Sequence, residues 1–156
     1  MTKFPSTDGG YEGACSDDVV IEPSPLTDLR QAVALYRAVG WSVYARAPSV
    51  LDAALRGSSL VVTACRNGSL VGLARVITDG ATICYIQDVL VHPDARRVGI
   101  GRKLVEAVLH PYRHVRQKVL LTDDDPSQRA FYESLGFVET RDYGNGTLRG
   151  FVRFDS

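Results

Sequence analysis

The sequence predicts an α/β (α+β) domain: one mixed, mostly antiparallel central sheet of six to seven strands, covered by about four helices. Three observations lead there. The 156 residues suffice for one compact domain with a core and are too few for two ordinary ones. In the first half, strand-like runs follow one another across tight turns, which makes antiparallel neighbours. In the second half strand and helix patterns alternate, which makes crossovers.

The elements justify this in order. Residues 1–17 are rich in Gly, Ser, Asp and Pro without periodicity and read as a flexible N-terminal arm, leaving 18–156 as the domain. "DVVIEPSP" is a short strand ended by turn residues. From Leu29 the apolar positions Leu29, Val33, Tyr36 and Val39 repeat at helical spacing until Gly40. "PSVLDAALRG" is a second helix, with Ser49 as N-cap and Gly57 as its end. "LVVTACRNGSLVGLARVIT" is a hairpin around Arg-Asn-Gly-Ser. "TICYIQDVLVH" is a strand closed by Pro93, which cannot donate to a ladder. Leu104, Val105, Val108 and Leu109 form one face of a helix ending near Pro111. "KVLLT" reads as a fully buried strand. In "DDDPSQRAFYESLGF", Asp125 is a natural N-cap, Pro126 suits the first helical position, Gln128 completes a capping-box-like pair and Gly136 stops the helix. "FVETRDYGNGTLRGFVRF" closes the pattern with two strands around Asn-Gly.

Composition excludes several function classes. Lys and Arg balance Asp and Glu at 18 each, so there is no global field for nucleic acid or an anionic membrane. No apolar run is long enough to span a bilayer, and "MTKFPSTDGGYEG" lacks the apolar core of a signal peptide, which points to a soluble, cytoplasmic protein. Cys15, Cys65 and Cys84 are odd in number and lack a CxxC pair, which argues against a disulfide framework and a zinc site. His92, His110 and His114 show no metal-ligand spacing, so no metal is expected.

Any anion must therefore be held locally, and "RRVGIGRKL" is built to hold one. Two glycines precede an amphipathic run, where a helix N-terminus offers free N–H groups and glycine admits an anion close to the backbone. Arg96, Arg97, Arg102 and Lys103 add charge, with no acidic residue between Asp94 and Glu106. A plain glycine-rich turn with a solvated basic face is the alternative. A Walker A loop fails because Gly101 is followed by Arg102 rather than Lys-Ser/Thr. A dinucleotide fingerprint fails because Leu104 stands where a third glycine belongs, leaving Asp123 as its only support.

The order strand, His-Pro, "ARRVGIG", helix, strand, "FYESLGF" resembles the GNAT family of acetyl-CoA-dependent N-acetyltransferases, from about Val19 to Phe154. Arg96, Gly99 and Gly101 satisfy the family's pyrophosphate-loop pattern, and Phe131, Tyr132, Gly136 and Phe137 satisfy its aromatic-Tyr-x-x-x-Gly-Phe helix end. "GWSVYAR", "YIQDVLV" and "LLTDD" are similar to a subgroup of small bacterial members, and more distantly to the arylalkylamine and serotonin N-acetyltransferases of plants. The resemblance implies a V-shaped splay between the fourth and fifth strands that admits the pantetheine arm of acetyl-CoA. Main-chain groups of Val89, Leu90 and Val91 would bond that arm. The N–H groups of Arg97, Val98, Gly99, Ile100 and Gly101 would hold the diphosphate, with Arg96 and Arg102 compensating its charge.

It also implies that Tyr132 is the general acid for the departing thiolate, the alternative being an ordinary packed tyrosine. A backbone N–H of Leu90 or Val91 would polarise the acetyl carbonyl. Related enzymes often carry a glutamate base where Gln87 stands, and Gln87 cannot take a proton. Strand alternation sends Gln87 to one face with Tyr85 and Val89 and Asp88 to the other with Ile86. Asp88, Asp123 and Asp124 remain candidate bases, as does a water relay. Asp125 replaces an asparagine many members use near the pantetheine arm, although its N-cap role is sufficient by itself. Trp41 and Tyr44 would build the acceptor wall beside Gln87, or serve in packing. The expected activity is acetyl transfer to a primary amine of a small molecule by direct attack, in a monomer or homodimer without nucleic-acid or membrane partners. Acetylation of a protein or peptide, and a non-catalytic acyl-CoA-binding module, are the alternatives.

Overall fold

The computed structural model describes residues 18–24 and 28–154, so the expected N-terminal arm over 1–17 and Cys15 lie outside the described residues. Five strands form one sheet in sequential order: β1 (Val19–Pro23), β2 (Leu60–Arg66), β3 (Ser69–Thr78), β4 (Ile83–Val91) and β5 (Gln117–Leu120). The first four are antiparallel and β5 runs parallel to β4. Five α-helices accompany them: α1 (Leu29–Ala38), α2 (Ser42–Ala45), α3 (Pro48–Arg56), α4 (Ile100–Leu109) and α5 (Pro126–Glu133).

Local chemistry accounts for most boundaries. Asp28 caps α1 by accepting from the Arg30 N–H. Gly40, at φ +90°, ends it in a Schellman arrangement, with Gly40 N–H on the Arg37 carbonyl and Trp41 N–H on that of Tyr36. The β2–β3 turn places Asn67 and Gly68 both at positive φ, as a two-residue hairpin requires. The N-cap expected at Ser49 is not found: Pro48 takes the first helical position, Ala47 is the cap residue, and Ser49 lies inside α3.

The sheet is covered on both faces. On one, Ile100, Leu104, Val105 and Val108 of α4 pack with Val62, Ala64, Ala74, Val76, Cys84 and Ile86. On the other, Ala32, Leu35 and Tyr36 of α1 and Leu51 and Leu55 of α3 pack with Leu73 and Leu90.

Two expectations at the C-terminal end are corrected. The final pair of strands does not form among the described residues, so the sheet has five strands rather than six to seven. Gly144, Asn145 and Gly146 are all left-handed, which coils Tyr143–Asn145 into a 3-10 turn where a two-residue hairpin turn was expected. Arg129 of α5 also bonds Glu139 at 2.8 Å and Asp142 at 2.6 Å, drawing that segment onto α5. Consequently β5 is the last strand, and its side chains are partly rather than fully buried.

Candidate active site

The turn before α4 carries the basic cluster. Arg97 has φ +66° and Gly99, the N-cap residue, φ +84°. A left-handed arginine is a costly backbone state that the surroundings must impose. The first intrahelical bond runs from Lys103 N–H to the Gly99 carbonyl at 3.1 Å, so the N–H groups of Ile100, Gly101 and Arg102 have no acceptor within α4. Ile100 anchors the turn by burying its side chain, whereas Val98 points to solvent. Two arginines are partly committed within the protein. Arg96 Nε donates to the Val91 carbonyl at 3.2 Å, and Arg102 Nη2 donates to Ser134 Oγ at 2.8 Å on the α5 side.

Gly101 is the meeting point of three segments. A Cβ there would lie 3.3 Å from the Phe131 ring and 3.7 Å from Val91. The end of β4, the first turn of α4 and α5 are thus in contact, and glycine at 101 is a packing requirement as much as a ligand-facing one.

Beside this junction the sheet opens. The β4–β5 register ends at Ile86↔Leu120, so Gln87 to Val91 continue along β3 without β5 beside them. This is the splay expected between the fourth and fifth strands.

Strand alternation through β4 is broken, which corrects the faces assigned above. Arg75 faces Asp88 but the next β3 residue, Val76, faces Ile86, leaving Gln87 as the extra residue of a β-bulge. Beyond it the pattern inverts. Ile86 and Val89 both pack against the α4 core, while Asp88 lies on the α1 face.

There Asp88 is 1% exposed. Its Oδ2 accepts from the Tyr36 hydroxyl at 2.6 Å and from Arg75 Nε. Burial, then the adjacent Asp88, pushes the Tyr36 phenol far above its ordinary value. Burial opposes the charge of Arg75, but the Asp88 carboxylate outweighs it and holds the guanidinium above its usual pKa. Enclosed and doubly bonded, Asp88 is placed as an anchor rather than as a group that meets an amine. Asp123 and Asp124 are exposed in the loop before α5.

Trp41 and Tyr44 do come together. With Tyr36 they form an aromatic cluster at centroid distances of 5.9 to 6.2 Å. Burial raises the Tyr85 phenol on β4, with Asp88 and then Tyr44 adding to the shift and the Arg75 guanidinium opposing it.

On α5, Tyr132 sits edge-on to Phe131 at 5.0 Å and Phe137 at 6.0 Å. Burial raises its phenol pKa, so it keeps its proton through the neutral range. Asp125 caps α5 through Ser127 N–H at 2.7 Å and Ser127 Oγ at 2.6 Å, and these bonds hold its carboxyl below the usual range. Among the described residues no group of three His, Cys, Asp or Glu is placed to hold a metal ion, and no helix is long and apolar enough to cross a membrane.

Tyr36 reads in the sequence only as an apolar helix position, and Arg75 and Ser58 are not singled out there. The available signal was Arg75 itself, a lone charge in the apolar run "GLARVIT", which in a central strand demands a partner.

Comparison with known proteins bears on the family and the fold. A family model described as an acetyltransferase (GNAT) domain matches residues 32–147. The uncharacterized N-acetyltransferase ycf52 of Pyropia yezoensis is 26% identical over 129 residues, covering 80% of this chain and 73% of that protein. A GNAT-family acetyltransferase structure from Streptococcus pneumoniae TIGR4 superposes with a TM-score of 0.77 at 27% identity, covering 88% of this chain and 98% of that one. The aminoglycoside N-acetyltransferase AAC(6')-Iy, solved with a bisubstrate analogue of CoA and acetylneamine, shares the fold at a TM-score of 0.67 and 16% identity, over 89% of this chain and 99% of that one.

Proposed function

The chain belongs to the GNAT family of acetyltransferases, and on that premise we propose that it acetylates a primary amine of a small molecule, using acetyl-CoA, by direct attack. The observation that carries the proposal is the junction at Gly101, where the open end of β4, the anion-facing turn of α4 and the helix of Tyr132 meet.

Arg97 to Gly101 offer main-chain N–H groups to the diphosphate, and Arg97 adds charge with Arg96 and Arg102 behind it. Val89 lies along the open edge of β4 and supplies main-chain partners for the pantetheine arm, whereas Leu90 pairs with Leu73 and turns its carbonyl to β3, 3.1 Å from where a Gly72 Cβ would stand. The Val91 carbonyl already receives Arg96 and its side chain packs on the α4 core, so that residue has its N–H left to contribute. The amine nitrogen attacks the thioester carbonyl; the C–N bond forms and the C–S bond breaks. Tyr132 gives its proton to the departing sulfur, and the amine proton leaves to water, since Gln87 cannot accept it, with water in turn restoring the Tyr132 proton.

The Trp41, Tyr44 and Tyr36 cluster supports a small acceptor with apolar surface. AAC(6')-Iy, with its aminoglycoside-derived analogue, is a small-molecule enzyme on the same fold. The test is a comparison of kcat/KM across small primary amines, peptide N-termini and lysyl peptides. At least about tenfold preference for a small amine, a gap of roughly 1.4 kcal/mol, is expected. Preference for peptides by the same margin overturns the acceptor assignment while leaving the transfer chemistry.

A further inference from the structure

A charge inside an apolar central strand is tolerated only when it is paired and hydrogen-bonded. Arg75 is in that position, between the fully buried Ala74 and Val76. Asp88 is both its ion-pair partner and its register partner across the β3–β4 ladder. The pair sits at the step where the ladder slips past Gln87. Without the slip, strict alternation would turn residue 88 toward α4 with Cys84 and Ile86, away from Tyr36. The bulge and the ion pair therefore depend on each other.

The cluster also reaches the helical layer. Tyr36 of α1 donates to Asp88 while its ring stands edge-on to Trp41 and Tyr44. Arg75 Nη1 bonds Ser58 Oγ at 3.2 Å, just past α3. Asp88 Oδ1 is buried with no hydrogen-bond partner among the described residues, so the carboxylate depends on the bonds to Oδ2.

We propose that Tyr36, Asp88 and Arg75 are positioning residues that lock the Gln87 bulge and dock the Trp41–Tyr44 wall onto it, so that the acceptor's seat and the open edge of β4 are set together. The proposal rests on the reading of this cleft as the acetyl-transfer site. None of the three touches the reacting atoms; they act through the two surfaces they join.

The test pairs amide hydrogen exchange with kinetics on Tyr36→Phe, which deletes one hydroxyl and keeps the ring, and on Asp88→Asn. Exchange over 86–91 and over 41–45 accelerates together by about tenfold or more, the scale of losing a hydrogen bond to a buried charged group, while 60–66 is unchanged. The acceptor KM rises by a similar factor, the acetyl-CoA dissociation constant rises with it because the pantetheine partners lie within 86–91, and the pH dependence of the rate keeps its shape. Uniform acceleration throughout the chain would reduce the cluster to general stability and overturn the proposal. Loosening of 86–91 alone would remove the docking role, and a displaced pH profile in Asp88→Asn would make Asp88 a proton carrier. If no amine is turned over by the parent protein, the transfer reading fails separately, and the exchange pattern still decides the coupling.

Discussion

The Phe131 ring occupies the space beside Gly101, with its Cζ 3.3 Å from where a Cβ would stand. Gly101→Val should therefore overpack the α4–α5 seam and lower stability by about 1 to 3 kcal/mol. Phe131→Leu should recover part of that loss, a coupling that a double-mutant cycle in denaturant reads directly. Additive effects would mean that the ring yields freely and that the glycine serves the ligand alone.

Gly99 differs: nothing lies within 4 Å of where a Cβ would stand, but its φ is +84°. Gly99→Ala should cost roughly 1 to 2 kcal/mol through backbone strain and weaken acetyl-CoA, as measured by calorimetry. Full affinity in a folded Gly99→Ala protein would remove the turn from the binding site.

Tyr132→Phe should lower kcat by on the order of 100 to 10,000 fold, the usual worth of general acid–base assistance, with acetyl-CoA affinity nearly intact. Because burial raises the Tyr132 phenol, no loss of rate from its ionisation is expected below pH ~10. A parent-like rate in Tyr132→Phe would make it a packing residue.

Gln87 stands alone in the bulge and cannot take a proton from the amine. With an alkylamine of pKa ~10.4, kcat/KM should climb from about pH 7 to beyond about 8.5, reporting the free amine. Gln87→Glu should move the climb to lower pH. A parent profile flat above about pH 6.5 would reveal an efficient base, and Asp123 and Asp124 would be replaced next.

Stability should fall in acid for a specific reason. Asp79 accepts from the Ala81, Thr82 and Ile83 N–H groups and from Thr82 Oγ1, which depress its pKa, and Asp125 is depressed by Ser127. A depressed folded pKa contributes stability above the ordinary carboxylate value near ~3.9 and loses it as pH falls. Asp79→Ala and Asp125→Ala should thus lower Tm clearly at neutral pH and by less near pH ~2, where part of the Asp79 contribution persists. Equal losses at both pH values would place the effect in packing.

What the sequence disclosed divides by the range of the interaction. Asn67-Gly68, Gly40 and Asp125 act within a few residues, so their turn and caps were legible. The glycine turn and the Phe131–Tyr132 helix are contiguous motifs and were legible too. The Gln87 bulge was not, because alternation presumes an unbroken ladder and the slip is imposed by Arg75, thirteen residues from Asp88, and by Tyr36, fifty-two away. The apolar pattern after Phe137 does read as strand, but Arg129 pairing with Glu139 and Asp142 outweighs local propensity there.

Acetyl transfer to an amine in the cleft beside Gly101, as proposed, has a direct readout. Free-thiol release from acetyl-CoA, measured with the mass of the acceptor product across a panel of primary amines, tests it most directly. Amine-dependent release of one thiol per N-acetylated amine is expected, lost in Tyr132→Phe. Tight acetyl-CoA binding with no amine-dependent thiol from any member of the panel, peptides included, would contradict it and leave an acyl-CoA-binding module.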